Sequence, residues 1–246
     1  MLDDMAEKLL IDVGDGINMR VVVNAVPGSA AVVIVHGLTS YIHEALYEDA
    51  RRYFNRKGYS VFRPELYGWE KDARDLKDCT LQVHGQDLDK LLVYLRKQNH
   101  KTIFMIGHSY GCPSVMCTSE PFSKAVMWDG TYVGMPLSFL GNMKRLPTQK
   151  LSIDSSGMGL ILGDEMIKEA VKLKGSTGWI GRLKYPTKFI YAGEGVLYSY
   201  RSMQQKRLLD FGIECATQLM PGADHNFTDD KVKDKLFKAS YNWFSK

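Results

Sequence analysis

The chain has 246 residues, 45% of them apolar, and a formal net charge of +4. That is enough apolar material for one large globular core or two small ones, and the charge is too small, with no Lys/Arg block interleaved with aromatics, to suggest nucleic acid as a partner. No run reaches the ~18 apolar residues of a membrane span, and the start MLDDMAEKLL is acidic and lacks the marks of a signal peptide, so a cytoplasmic location is expected.

Four cysteines (Cys79, Cys112, Cys117, Cys215) show neither CxxC spacing nor the density of a disulfide scaffold. Reduced, mostly buried thiols and no metal centre are expected.

Along the chain, two apolar runs at 8–13 and 18–23 flank GDG and read as a β-hairpin. AVVIVHG is β-branched and short, as a strand buried on both faces would be. Residues 41–57 place Leu46, Ala50, Tyr53 and Phe54 on one helical stripe ahead of Gly58. The alternation continues with the strand YSVFRP, a helix over 81–98, the strand TIFMIG, a short helix over 112–118 and the strand KAVMW. After an interruption it resumes with TKFIYAG, a helix over 199–211, the strand IECATQLM and a last helix through Val232, Leu236, Ala239 and Trp243. Strands joined by crossover helices predict an α/β fold with a doubly wound, mostly parallel eight-stranded sheet.

The interruption, 131–185, carries one clear helix over 164–174, with Asp164 and Glu165 at its start and Lys172 and Lys174 at its end. An insertion of this size on an open α/β sheet is expected to cover the strand ends where such folds bind ligands. It is read as a small helical lid after the sixth strand, on a core made of 1–130 and 186–246. From 131 to 188 there are nine Lys/Arg against four Asp/Glu, a local balance of +5. A solvated basic face is the plain explanation; the functional alternative is a substrate bearing a carboxylate or phosphate, or an anionic surface. Leu160, Ile161, Leu162 and Trp179 are among its apolar residues that could wall an acyl pocket.

TIFMIG runs directly into GHSYG and then into a helix. A serine on such a sharp turn is presented at a helix N-terminus, where backbone N–H groups favour developing negative charge, and side chains at Gly107 or Gly111 would collide with the turn. Ser109 is therefore the candidate nucleophile. His225, in PGADHNF between the last strand and the last helix, stands at the same sheet edge and is the candidate general base. IVHGLTS leaves a third strand end there, so the amides of Leu38 and Tyr110 are candidates for an oxyanion site.

HGLTS, FRPELYGW, GHSYG and GADHNF, in that order, make the whole chain resemble the α/β-hydrolase family of serine hydrolases. It is most similar to small lidded carboxylesterases, the group with cinnamoyl-type esterases and monoacylglycerol lipases. The resemblance implies hydrolysis of a small-molecule ester through an acyl-enzyme, without a cofactor. Thioesters and other acyl substrates would use the same residues, and a catalytically silent binding protein is the alternative from another class.

Such relatives commonly carry the acid that orients the histidine as an aspartate three residues past a glycine after the seventh strand. Counting from Gly193 reaches Val196. Two carboxylates remain open: Glu194, in AGEG at that turn, and Asp129, which closes the sixth strand in VMWDGTY as some hydrolases of this fold do. Asp224 is a weaker candidate, and Asp229 and Asp230 are expected to cap the final helix.

Overall fold

A computed structural model describes residues 6–38, 40–130, 143–146, 151–154, 161–173, 183–195 and 215–246. The hairpin consists of β1 (Glu7–Gly14) and β2 (Ile17–Asn24), joined through Asp15 at φ 55°. Then follow β3 (Ala31–Val35), α1 (Ala45–Arg56), β4 (Ser60–Pro64), a 3-10 turn at Leu76–Asp78, α2 (Leu81–Lys97), β5 (Ile103–His108), α3 (Gly111–Met116) and β6 (Lys124–Trp128). The insertion contains β7 (Met143–Leu146), β8 (Leu151–Asp154), β9 (Ile161–Gly163) and α4 (Asp164–Leu173), and the chain closes with β10 (Thr187–Ala192), β11 (Cys215–Met220) and α5 (Asp230–Phe244). The expected helix over 199–211 lies outside the described residues.

Eight strands form one sheet in the order β1-β2-β4-β3-β5-β6-β10-β11. β1 and β4 each run antiparallel to β2, and every other neighbouring pair is parallel. Because side chains alternate across a strand, each parallel strand feeds two cores. Val33, Met105, Met127 and Phe189 face the leucines of α2 together with α3, while Ile34, Ile106, Trp128 and Ile190 face α1 and α5. Such two-sided burial explains why β3 reads as an unbroken β-branched run. It also aligns the exits of β3, β5, β6, β10 and β11 along one edge.

The structure differs from the sequence reading in two places. α1 begins at Ala45 rather than at 41, because Glu44 is extended and supplies no side-chain cap. The insertion is not purely helical: β7, β8 and β9 form a separate antiparallel sheet, with strands of only three or four residues.

Its β9–α4 portion packs into the main core. Leu162 and Met166 are buried in the cluster that holds the α2 leucines, and any side chain at Gly163 would overlap the Lys77 carbonyl. The N–H groups of Leu81 and Gln82 donate to the Glu169 carboxylate at 2.5 and 3.2 Å, while Thr80 accepts from Val83. The first turn of α2, whose amides lack intrahelical partners, is thus capped in part from α4. None of the four cysteines is in a disulfide.

Candidate active site

Ser109 leaves β5 in the left-handed region, at φ 53°. Gly107 makes that turn possible, since a Cβ there would lie 2.7 Å from Cys112 Cα. The hydroxyl stands 2.9 Å from His225 Nε2, and His225 Nδ1 stands 2.6 Å from Asp129 Oδ2. Three side chains from the exits of β5, β6 and β11 therefore form one hydrogen-bonded line.

Asp129 is held on both sides. It too has a positive φ, 40°; its N–H donates to the Ile190 carbonyl at 2.8 Å, and its Oδ1 accepts from the Ala192 N–H at 3.0 Å. Only 1% of its side chain is exposed. With one oxygen held by an amide donor, the other is left to accept from His225.

Glu194 does not join this line. It is exposed, and its backbone N–H ties the turn to the Ala223 carbonyl at 2.8 Å. Its neighbour matters more, because a Cβ at Gly195 would sit 2.6 Å from Asp129 Oδ2. The second glycine of AGEG leaves the space that the Asp129 carboxylate fills. Asp224 turns the other way, accepting from the N–H and hydroxyl of Thr228, and Asp229 caps α5 through the Val232 N–H.

The loop after β3 presses against the serine, with the Gly37 Cβ position 3.0 Å from Ser109 Cβ. His36 sets its shape. The Leu66 N–H donates to His36 Nε2 at 3.1 Å, which leaves Nδ1 to donate to the Gly37 carbonyl at 2.8 Å. Complete burial pushes the His36 pKa down to about 4, so it stays neutral. The Tyr67 hydroxyl reaches the carbonyls of Gly37 and Ser40 at 3.1 and 3.3 Å. Among the described residues the Leu38 and Tyr110 amides have no acceptor.

No family model and no curated protein matches the sequence. Solved structures do. The chain is similar to Est1E from Butyrivibrio proteoclasticus, at 17% identity and a TM-score of 0.74 over 97% of this chain and 99% of that one. It is also similar to a dienelactone hydrolase from Anabaena variabilis, at 14% identity and a TM-score of 0.69 over 98% and 97%. The esterase domain of a Rhodothermus marinus protein matches at 13% identity and a TM-score of 0.70 over 97% of each chain. The chain has the α/β-hydrolase fold.

On this α/β-hydrolase scaffold, a cavity of about 1130 Å³ opens beside the loop after β3, with Ser40, Tyr41, Tyr67, Trp69 and Ile161 in its walls. Trp69 is fully exposed and Tyr41 is 56% exposed, an aromatic surface available to a ligand. The cavity's cations are largely engaged: Arg74 is bidentate on Asp87 at 2.7 and 2.8 Å, and Lys77 pairs with Asp75 and Asp78. Among the described residues no three His, Cys, Asp or Glu side chains converge as metal ligands, and no helix is long and apolar enough to cross a membrane. The roles of Gly195 and Tyr67 were not read from sequence. The second glycine of AGEG was the available signal for the first; Tyr67 offered none, since its partners lie about thirty residues upstream.

Proposed function

We propose that the protein is a serine hydrolase that cleaves carboxylic esters through an acyl-enzyme, with Ser109 as nucleophile, His225 as general base and Asp129 as the acid that orients it. The observation that carries this reading is the line Ser109 Oγ, His225 Nε2, His225 Nδ1, Asp129 Oδ2, with separations of 2.9 and 2.6 Å. In the first half-reaction His225 Nε2 takes the Ser109 proton while Oγ attacks the ester carbonyl. The Leu38 and Tyr110 amides hold the oxyanion, a contribution of about 3–4 kcal/mol for a donor of this kind. The tetrahedral adduct then expels the alcohol, which leaves with the proton from His225. Water, deprotonated by the same nitrogen, attacks the acyl-enzyme and releases the acid.

The steps use only this chain's groups and water. The cavity beside the loop after β3 has aromatic walls suited to an apolar or aromatic portion of a ligand, with Ser109, His225 and Asp129 outside its lining, and the engaged state of Arg74 and Lys77 gives little reason to require an anionic one. The expected lid, 131–185, lies mostly outside the described residues.

The test is a fluorophosphonate probe followed by mass measurement, together with hydrolysis of short p-nitrophenyl esters. A single adduct on Ser109, and loss of both adduct and hydrolysis in Ser109→Ala, are expected. A wild-type protein with neither adduct nor hydrolysis is not an enzyme of this class.

A further inference from the structure

Two buried side chains outside the Ser109–His225–Asp129 line connect the loops that carry it. Tyr47, on α1, and His108, just before Ser109, are 1% and 2% exposed. The Gly37 N–H and the Ser40 hydroxyl both donate to Tyr47 Oη, at 3.2 and 3.0 Å. That oxygen lies 2.8 Å from His108 Nδ1, and His108 Nε2 lies 2.9 Å from the backbone carbonyl of His225. The chain of contacts runs from the loop beside Leu38, past the nucleophile, to the residue whose imidazole faces Ser109.

Chemistry fixes the direction of each bond. An amide only donates, so Tyr47 Oη accepts from Gly37, and its single hydrogen is free for one further partner. A carbonyl only accepts, so His108 Nε2 must carry a hydrogen to bond His225. A neutral imidazole protonated there has a bare Nδ1, which receives the Tyr47 hydrogen. The polarity is consistent from end to end only for the neutral Nε2–H form. Burial, with the nearby His225 ring as a smaller cause, pushes the His108 pKa down to about 3 and maintains that form.

Resting on the reading given under Proposed function, we propose that Tyr47 and His108 are positioning residues: a buried brace of fixed polarity that holds the oxyanion loop and the His225 loop in register around Ser109. Neither touches substrate, and neither gains or loses a proton during turnover. The brace acts on geometry at both ends. A Cβ at Gly37 would lie 3.0 Å from Ser109 Cβ, and the peptide that Tyr47 holds through the Gly37 N–H immediately precedes the one that carries the Leu38 N–H, so a tilt of the first turns the second. At the other end the braced carbonyl belongs to the residue that supplies the base, and the His108 and His225 rings are 5.1 Å apart.

Tyr47→Phe tests this with little change in packing, because the ring stays while the Gly37 N–H loses its acceptor and His108 its donor. With far-UV circular dichroism unchanged, kcat on p-nitrophenyl acetate should fall about ten- to a hundredfold, the scale of a small misplacement of catalytic groups, while KM changes little. His108→Gln, whose amide still reaches the His225 carbonyl, should retain more turnover than His108→Ala, which keeps neither link. In the wild-type protein, imidazole 15N spectra correlated to the His108 side-chain carbons should show the Nε2–H tautomer. Wild-type kcat in Tyr47→Phe would overturn the brace. A hydrogen on His108 Nδ1 in the wild type would do so as well, whether or not Ser109 takes up a fluorophosphonate, so the two readings fail separately.

Discussion

Asp129→Asn changes one atom of the proposed triad, and the surrounding bonds dictate where the change falls. The Ala192 N–H needs an oxygen at the Oδ1 position, 3.0 Å away, so the new amide must place its NH2 where Oδ2 faced His225 Nδ1 at 2.6 Å. Two N–H donors cannot share that space. The imidazole resolves the conflict by moving its hydrogen to Nε2, which then points at Ser109 and can no longer take its proton. The loss of the correct tautomer in a serine hydrolase is worth about 10⁴ in kcat, or about 5 kcal/mol of barrier. The assay is steady-state hydrolysis of p-nitrophenyl acetate, with KM close to wild type because the ester pocket is untouched. Glu194→Gln, at an exposed carboxylate that does not meet His225, should stay within about twofold, as surface changes generally do. Retention of kcat within about tenfold in Asp129→Asn, or a comparable loss in Glu194→Gln, would refute the assignment.

Gly195→Ala should lower kcat and the melting temperature together, since the added methyl would stand 2.6 Å from Asp129 Oδ2 and 2.9 Å from Ala192 Cβ; overpacking of this sort costs about 1–3 kcal/mol, read by urea unfolding alongside kinetics. Glu169→Ala removes the acceptor of the Leu81 and Gln82 amides and should cost about 0.5–2 kcal/mol, the range for a lost helix cap, with an unchanged denaturation midpoint counting against it. Stability should also fall as pH drops from 6.5 toward 5. His36, His84 and His108 have ordinary values of 6.5 lowered by burial to about 4, 3 and 3, so the unfolded chain gains protons in this window that the fold refuses. Their contribution is whole above 6.5 and each loses on the order of 1.4 kcal/mol per pH unit below it. Equal urea midpoints at pH 7 and pH 5 would contradict this, because ordinary carboxylates titrate below that window.

Local patterns made the sheet and the serine turn legible. Strand, GHSYG and helix are contiguous, and the glycines needed at that turn are visible in the letters. His225 could be placed because the strand alternation puts 221–225 at the edge where Ser109 emerges. The acid could not be fixed in this way: Asp129 and Glu194 both close strands, and the difference lies in the pairing of β6 with β10, which sets Asp129 beside Ala192 and Gly195. β7, β8 and β9 escaped because three- and four-residue strands carry too little alternation to read. His108 stands in GHSYG itself, but its partners, Tyr47 and the His225 carbonyl, are 61 and 117 residues distant in the chain, beyond the reach of any local pattern.

The docking of β9 and α4 against the 3-10 turn and α2 bears on how the molecule comes apart. With Leu162 and Met166 seated among the α2 leucines, this portion of the insertion cannot leave without opening the main core to water. Its backbone amides should therefore exchange with solvent through the same cooperative event that releases α2, rather than through a separate low-energy opening. Ile161, 43% exposed and set in the cavity wall, is thereby tied to the last part of the fold to open, so the wall it forms should persist for as long as the α2 core does.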